Sequence, residues 1–230
     1  MESRLYQTLA SGTVQCRTCS HFCRIENKAR GRCGVRENKN GKLYFLAYDK
    51  VIAASVDPIE KKPIFHLQPG SLSYSIATPG CNFSCDFCQN SDIAQMPRER
   101  GGLIQGRDMG PAQLVAEALA AGCRSLSYTY TEPTVFFELA LDTARLARQK
   151  GLYNIFVTNG YMSPEALDLL SEVLDAANVD LKSFDPGFYE KYCQARLEPV
   201  KQNLKAIKER GILLEITTLL IPGLNNDAVL

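Results

Sequence analysis

Residues 72–88 read LSYSIATPGCNFSCDFC, a strand-like run that a Pro-Gly turn joins directly to a cysteine loop. The loop has the spacing C-x3-C-x2-C, and its cysteines are Cys81, Cys85 and Cys88. Thiolates are the soft ligands that iron–sulfur clusters and zinc prefer, and three of them can converge from one short loop. A 4Fe–4S cube takes four ligands, so this loop would leave one iron open for chemistry. The alternative is a zinc site that His66 or a distant cysteine completes.

Strands and helices are predicted to alternate from this point to the end of the chain. The predicted strands are 72–78, 125–130, 153–158, 178–182 and 213–221, and the predicted helices are 111–121, 134–150, 164–176, 187–193 and 199–210. Alternation of this kind is typical of an α/β fold with a parallel sheet, whose chemistry lies at the carboxyl ends of the strands. About five parallel strands are too few to close an eight-stranded barrel.

The N-terminal stretch differs in composition from the rest of the chain. It contains four more cysteines and an Asn40-Gly41 pair, which predicts a β-hairpin. The cysteines follow the pattern C-x2-C-x3-C-x9-C and are Cys16, Cys19, Cys23 and Cys33. They could hold zinc or a second iron–sulfur cluster, with His21 as a substitute ligand, or they could pack as unligated thiols. A bound metal is favoured, because so small a module has little core of its own. We therefore divide the chain into a Cys-rich module (1–50), a connector (51–71) and an α/β segment (72–230).

Charge and composition exclude several classes of protein. The 230 residues carry 26 basic and 25 acidic side chains, and a net charge of +1 argues against a nucleic-acid partner. No apolar stretch reaches the roughly 18 residues that a membrane span needs, and the N-terminus lacks the apolar core of a signal peptide. We expect a cytoplasmic protein with no membrane partner, in which most of the nine cysteines bind metal rather than form disulfides. Cys123, Cys193 and His66 are predicted to be ordinary packed residues.

The cysteine triplet, with Phe87 before its last member and a strand before its first, resembles the signature of the radical S-adenosylmethionine (radical SAM) superfamily. The segments 88–90, 57–63 and 128–133 resemble its activating-enzyme branch, the homologues of pyruvate formate-lyase activating enzyme. Within that branch, the N-terminal cysteines are similar to those of the AmmeMemoRadiSam system radical SAM enzymes. The resemblance covers nearly the whole chain and implies a partial (β/α) TIM-like barrel. Family members continue further, so we expect a barrel that is shortened at its C-terminus.

In this superfamily the open iron of a 4Fe–4S cluster binds S-adenosylmethionine, and one electron cleaves the sulfonium to methionine and a 5′-deoxyadenosyl radical. The resemblance therefore implies an enzyme with Cys81, Cys85 and Cys88 as cluster ligands. It also implies S-adenosylmethionine as cofactor and an electron donor of the flavodoxin or ferredoxin type. In activating enzymes the radical abstracts hydrogen from a glycine of a partner protein. The competing hypothesis is a non-catalytic iron–sulfur or zinc protein that acts as an electron carrier or assembly module.

Polar residues at the ends of later strands are candidates for the remaining roles. The resemblance implies that Glu132 accepts a hydrogen bond from the methionyl ammonium, although TYTE replaces the GGE of many relatives. The alternative for Glu132 is a solvated loop acid, or a favourable charge at the N-terminus of the helix predicted to start near Thr134. Thr158 and Asn159 end the third strand and either contact S-adenosylmethionine or form a plain turn. Asp180 and Lys182 share one side of the fourth strand, where the pair is costly to bury unless used, and they are the predicted catalytic residues.

Overall fold

The N-terminal region consists of small antiparallel sheets in the computed structural model, which describes residues 1–226. Its strands are β1 (Tyr6–Thr8), β2 (Val14–Cys16), β3 (Arg24–Ile25), β4 (Arg36–Lys39) and β5 (Lys42–Phe45). The first three form one sheet, and β4 and β5 form the predicted hairpin, whose turn residues Asn40 and Gly41 both have positive φ. The core of this region is small and consists of Val14, Cys16, Ile25 and Leu43. Residues 227–230, the end of the predicted barrel segment, lie outside the described part of the chain.

A six-stranded sheet forms the centre of the molecule. Two short strands, β6 (Lys50–Val51) and β9 (Arg107–Asp108), pair with each other outside it. The strands of the central sheet are β7 (Ala53–Pro58), β8 (Leu72–Ala77), β10 (Ser125–Tyr128), β11 (Tyr153–Thr158), β12 (Ala176–Asp180) and β13 (Leu213–Thr217). Their order is β13-β12-β11-β10-β8-β7, with β7 antiparallel to β8 and the other five strands parallel. The predicted α/β class and partial barrel are confirmed, whereas the division at residues 50 and 71 stays a prediction.

Helices follow the parallel strands, as the alternating pattern predicts. They are α1 (Ser91–Ala94), α2 (Met96–Glu99), α3 (Pro111–Ala120), α4 (Phe137–Gln149), α5 (Pro164–Ser171), α6 (Pro186–Phe188) and α7 (Leu197–Glu209). A π-helical turn, Tyr189–Cys193, directly follows α6. Proline occupies the first position of α3, α5 and α6, where its missing N–H is not needed. None of the helices in residues 1–226 is long and apolar enough to cross a bilayer.

The two faces of the central sheet are covered differently. Side chains alternate along a strand, so Phe156 joins the main core beneath the helices while Ile155 faces the other side. On that inner side, Ile155 and Ala176 pack against Ile59 and Ile64 from the segment that follows β7. Because β7 runs antiparallel to β8, this segment starts at the amino ends of the parallel strands. The inner face is therefore filled at the amino ends and leaves room for a cavity at the carboxyl ends.

Several predicted boundaries are wrong by a few residues; the fourth strand, predicted over 178–182, is Ala176–Asp180, which leaves Lys182 beyond its end. Pairing within the sheet explains two further shifts. The helix predicted to reach residue 176 ends at Ser171, because Ala176 and the residues after it pair in register with β11. Strand pairing thus overrides the helical preference of alanine. The last strand, predicted to reach residue 221, ends at Thr217, which lies opposite Asp180, the last residue of β12. Leu219 follows beyond the sheet and is 48% exposed.

Candidate active site

A cavity of about 360 Å³ lies at the carboxyl ends of the parallel strands. Its size is in the range of ligand-binding pockets. The loops after β8, β10, β11 and β12 line it, together with the segment after β7. The eight residues predicted for the cluster, the cofactor and catalysis all line this cavity, and they are Cys81, Cys85, Cys88, Glu132, Thr158, Asn159, Asp180 and Lys182. The structure thus brings these residues together, and their individual roles stay predictions.

The cysteine loop is anchored on both of its sides. The amide of Ser84 donates to the carbonyl of Cys193, 3.1 Å away, and Phe83 is buried beneath the loop. Gly80, at the start of the loop, has a φ of +107°, which favours glycine. A Cβ at this position would come within 3.1 Å of the carbonyl oxygen of Cys33. The loop therefore packs closely against the N-terminal region, and a larger residue at position 80 would push it away.

Three free thiols on one cavity wall fit a 4Fe–4S cluster. Within residues 1–226, no three ligand-type side chains are grouped tightly enough for a single metal ion. A cube binds each thiolate at a different iron, so its ligands stand wider apart than those of one ion. The side-chain nitrogen of Asn82, next to Cys81, is buried without a partner in the described chain, as suits a donor to cluster sulfur. Burial and the charge of Glu132 raise the pKa of Cys81, so its deprotonation needs a metal beside it.

Glu132 is buried at the centre of a hydrogen-bond network between two strand loops. Its Oε1 accepts from the amide and hydroxyl of Thr134, at 2.9 and 2.5 Å, and from the hydroxyl of Thr158 at 2.7 Å. Its Oε2 accepts from the amide of Asn159 at 2.8 Å, and the Asn159 side chain donates to Oδ1 of Asn82, also at 2.8 Å. Burial raises the pKa of Glu132, although these hydrogen bonds oppose the shift. The two strand-end residues therefore fix the Glu132 carboxylate at the cavity wall.

Asp180 and Lys182 form an ion pair at the end of β12. Lys182 Nζ donates to Asp180 Oδ2 at 2.7 Å, and the two side chains are 37% exposed for the aspartate and 17% for the lysine. Burial alone would lower the pKa of Lys182, but the Asp180 carboxylate raises it well above its usual value. Lys182 is therefore charged, and the two side chains line the cavity together.

A charged group lies on the side of the cavity that the segment after β7 forms. The sequence pattern assigned no role to this group. Asp57 is buried and accepts from Lys61 Nζ at 2.8 Å, from Lys62 Nζ at 2.7 Å and from the Tyr130 hydroxyl at 2.6 Å. The Lys62 side chain is only 2% exposed, and its Nζ lies 4.4 Å from the centre of the Tyr130 ring. Tyr130 has a left-handed φ of +62°. The sequence feature that could have found this group is the concentration of charges in residues 57–62. Only the resemblance to activating enzymes drew attention to that segment.

Cys193 also belongs to the site, although it was predicted to be an ordinary thiol. It is fully buried at the end of the π-helical turn. The neighbouring Cys193 thiol and burial raise the pKa of Cys85. Cys123, in contrast, is buried in the main core, as predicted. A lone cysteine so distant from the triplet in sequence carries no signal of this contact.

The family model described as the Radical SAM superfamily matches residues 75–230. The chain belongs to the radical SAM superfamily. The predicted membership is therefore confirmed. Membership of this superfamily supports an enzymatic function, and it implies a 4Fe–4S cluster and S-adenosylmethionine as cofactors.

Relatives of this radical SAM chain include proteins with different reactions. An uncharacterized protein of Methanocaldococcus jannaschii is 43% identical over 226 residues, which cover 98% of this chain and 66% of that protein. A protein of the same organism, described as a candidate glycyl-radical enzyme activating enzyme, is 26% identical and covers 65% of this chain and 56% of its own length. A mitochondrial GTP 3′,8-cyclase of Arabidopsis thaliana is also 26% identical, with 66% and 39% covered. The chain thus spans about two fifths to two thirds of the length of these relatives.

Solved structures similar to this radical SAM chain include a domain of pyruvate-formate lyase-activating enzyme from Bacteroides vulgatus. The identity is 23%, and the TM-score is 0.42. The match covers 45% of this chain and 65% of that one.

The N-terminal cysteines of this radical SAM chain share a second, much smaller cavity of about 20 Å³. All are free thiols, two of them buried and two half-buried: Cys16 and Cys33, and Cys19 and Cys23. His21 lines the same cavity, but its Nε2 donates to the carbonyl oxygen of Asn82 at 2.9 Å. Burial and the positive charge of Arg32 lower the pKa of His21 to about 4. His21 is therefore neutral at pH 7 and connects the N-terminal region to the cysteine loop.

His66 is exposed, and its prediction as a packed residue is wrong. Its side chain is 75% exposed, and its Nδ1 lies 3.1 Å from Oε1 of Glu215. The same oxygen accepts from the amides of Phe65 and His66, so the polar contact with β13 lies at the surface. His66 is absent from the residues that line the large cavity, and the alternative of a zinc site completed by His66 is not formed.

Proposed function

We propose that this chain is a radical SAM enzyme that abstracts hydrogen from its substrate, with Cys81, Cys85 and Cys88 as the ligands of a 4Fe–4S cluster. The observation that carries the proposal is the convergence of these thiols with polar groups from three further strand ends on one cavity. When bound, the cluster and S-adenosylmethionine would supply the electron and the 5′-deoxyadenosyl radical. The residues of the chain would bind both groups, orient them and keep water from the radical.

Glu132 is suited to accept a hydrogen bond from the methionyl ammonium. Its Oε1 already accepts three hydrogen bonds, whereas Oε2 accepts one, from Asn159, and keeps the capacity for another. The carboxylate is held by its neighbours, so little side-chain entropy is lost when a ligand binds. A charge-assisted hydrogen bond to an ammonium is stronger than a neutral one. We assign Thr158 and Asn159 the role of positioning Glu132.

The ion pair at the end of β12 is suited to bind a polar group of the cofactor or the substrate. Lys182 lines the same cavity as Cys85, so its ammonium lies near the cluster loop. We propose that Lys182 binds an anionic group in the cavity. Asp180, its partner at 2.7 Å, would keep Lys182 protonated and oriented.

For the substrate we propose a glycine residue of a partner protein. Support comes from the relative described as a candidate glycyl-radical enzyme activating enzyme. Glycine also has no side chain to hinder the approach of its backbone into a deep cavity. A glycyl-radical protein labelled with α-deuterated glycine tests this proposal. Deuterium in 5′-deoxyadenosine is the expected result, and consumption of GTP without transfer of deuterium would contradict it.

The reaction itself can be tested without the substrate. The protein is loaded anaerobically with iron and sulfide, reduced with dithionite and given S-adenosylmethionine. We expect 5′-deoxyadenosine and methionine in equal amounts. A protein that holds a reducible cluster but makes no 5′-deoxyadenosine would instead be a non-catalytic electron carrier or assembly module.

For the N-terminal cysteines we propose a structural zinc ion. A cavity of about 20 Å³ has room for a single ion and not for a cube. Four thiolates complete a tetrahedral zinc site, and the metal would add folding energy to a region whose core has four buried residues. Because the thiols are not grouped at the spacing of a single-ion site, they would draw together when the ion binds.

A further inference from the structure

A basic groove lies on the outer side of the cysteine loop. Among residues 1–226, four cations and no carboxylate line it, and we call it the arginine groove. Its charged residues are Lys28, Arg30, Arg32 and Arg98. Ser84 and Gln194 complete its wall beside the loop. The groove is separate from the large cavity, since no residue lines both.

The charges of the arginine groove are only partly neutralised. Arg32 donates to the carbonyl and side-chain oxygens of Gln194, at 3.0 and 3.1 Å, and Arg98 donates to the carbonyl of Phe83 at 2.6 Å. These acceptors are uncharged, so both guanidinium groups keep their full positive charge. Arg30 alone is described in an ion pair, with Glu37. On a chain with a net charge of +1, this groove is a local concentration of positive charge.

The groove adjoins the loop that carries the proposed cluster ligands. Ser84, which lines the groove, is the chain neighbour of Cys85, which lines the cavity. Gln194 likewise follows Cys193, whose carbonyl accepts from the amide of Ser84 at 3.1 Å. The thickness of one loop therefore separates a partner in the groove from the cluster ligands. Such a partner would not enter the cavity that the cofactor and substrate have to fill.

We propose that the arginine groove is the docking surface for a small acidic protein that carries one electron to the cluster. This inference rests on the proposed function. Positive charge beside the loop would attract an acidic carrier and orient it, as complementary charges do at protein interfaces. In this step one electron leaves the reduced carrier and is gained by the cluster, with no bond made or broken. Entry through the back of the loop lets the electron arrive while the cavity is closed by its ligands.

Cluster reduction by two donors of different size tests the proposal. The rate is followed by stopped-flow absorbance with fully reduced flavodoxin, an acidic protein, and separately with dithionite, a small ion. The variants are Arg32→Glu and Lys28→Glu, both at exposed positions, and the matched control is Arg124→Glu. Arg124 is exposed at the amino end of β10, on the opposite end of the sheet.

We expect Arg32→Glu to slow reduction by flavodoxin at least about tenfold at low salt, because charge steering changes association rates by one to three decades. Lys28→Glu should slow it less, and added salt should slow the unmodified protein. Dithionite rates and Arg124→Glu should be unchanged. Groove variants that flavodoxin reduces at the unmodified rate would overturn the docking surface. An unmodified protein without a cluster that dithionite can reduce would overturn the proposed function and this inference with it.

Discussion

The N-terminal cysteines and the loop 81–88 offer the same ligand atom in different surroundings. Four thiols enclose a cavity of about 20 Å³ near the N-terminus, whereas three thiols line a cavity of about 360 Å³ at the strand ends. Four thiolates complete the coordination of one metal ion, and three leave an open position. Among residues 1–226 no carboxylate lines the first cavity, whereas Glu132 and Asp180 line the second together with three lysines. The difference teaches that the spacing of the cysteines predicts a metal at both places, while the charged residues around the loop 81–88 favour the reactive role that we propose there.

Removal of a ligand from the open site should have the largest effect. In Cys85→Ala we expect loss of the cluster and a fall of 5′-deoxyadenosine to background, because two thiolates do not hold a cube. Cys123→Ala is the matched control, since Cys123 is a thiol buried in the main core and should be dispensable for iron. Iron content per chain and product by mass spectrometry are the measurements. Product from Cys85→Ala at the unmodified level would contradict the ligand assignment.

Removal of a ligand from the closed site should affect folding rather than chemistry. In Cys23→Ser we expect zinc to fall below one equivalent and the free energy of unfolding to drop by about 3 kcal/mol or more, since a structural metal supplies folding energy. Cys23 is half-buried, so little packing is lost with its thiol. Zinc content and urea unfolding are measured beside Cys123→Ser. Unmodified protein without zinc, or Cys23→Ser with a full equivalent, would show that the quartet is not a zinc site.

The buried carboxylate of Asp57, beside the large cavity, can be tested through the pH dependence of the protein's stability. Burial opposes ionisation of Asp57, but Lys61, Lys62 and Tyr130 outweigh it and hold its pKa well below the usual range. A lowered pKa in the folded state stabilises the protein above about pH 4, and this contribution is lost as the pH falls through the folded pKa. Asp57→Asn should be less stable at pH 7 by about 3 kcal/mol, because it leaves Lys62 buried without its partner.

The same variant should also lose less stability between about pH 5 and about pH 3 than the unmodified protein. Urea unfolding across this range measures both effects. Asp92→Asn, at an exposed aspartate of α1, is the control and should follow the unmodified curve. Equal acid sensitivity of Asp57→Asn and the unmodified protein would show that Asp57 does not contribute to the pH dependence of stability.

A change at Glu132 should weaken cofactor binding while the cluster stays in place. Glu132→Gln removes a charge-assisted hydrogen bond worth about 1.5–3 kcal/mol, so the Kd for S-adenosylmethionine should rise roughly 10- to 100-fold. Glu117→Gln is the control, because Glu117 lies on α3 and accepts from Tyr74 and Gln113 away from the cavity. Calorimetry on the reconstituted protein gives the two constants. An unchanged Kd would show that Glu132 does not bind S-adenosylmethionine and has only the local role of contacting Thr134.

The parts of the fold that depend on neighbours in sequence could be predicted, and those that depend on distant partners could not. The strand 153–158 and the cysteine loop carry their signal in adjacent residues, and the structure has both where the pattern predicts them. The end of α5 was missed because pairing of Ala176 with β11 decides it. The contact of Cys193 with Cys85 and that of Tyr130 with Asp57 join residues far apart in the chain. No periodicity or spacing encodes such contacts.

Asn82 gives the cysteine loop a mechanical connection to two other parts of the molecule. Its backbone carbonyl is held by His21 and its side chain by Asn159, so the loop is tied to both the N-terminal region and the third parallel strand. These hydrogen bonds hold the loop from two directions, and we expect a folded N-terminal region to help it retain the proposed cluster. Damage at the N-terminal cysteines would then show itself first as poor retention of iron. We therefore expect the N-terminal thiols to influence the cysteine loop from outside the large cavity.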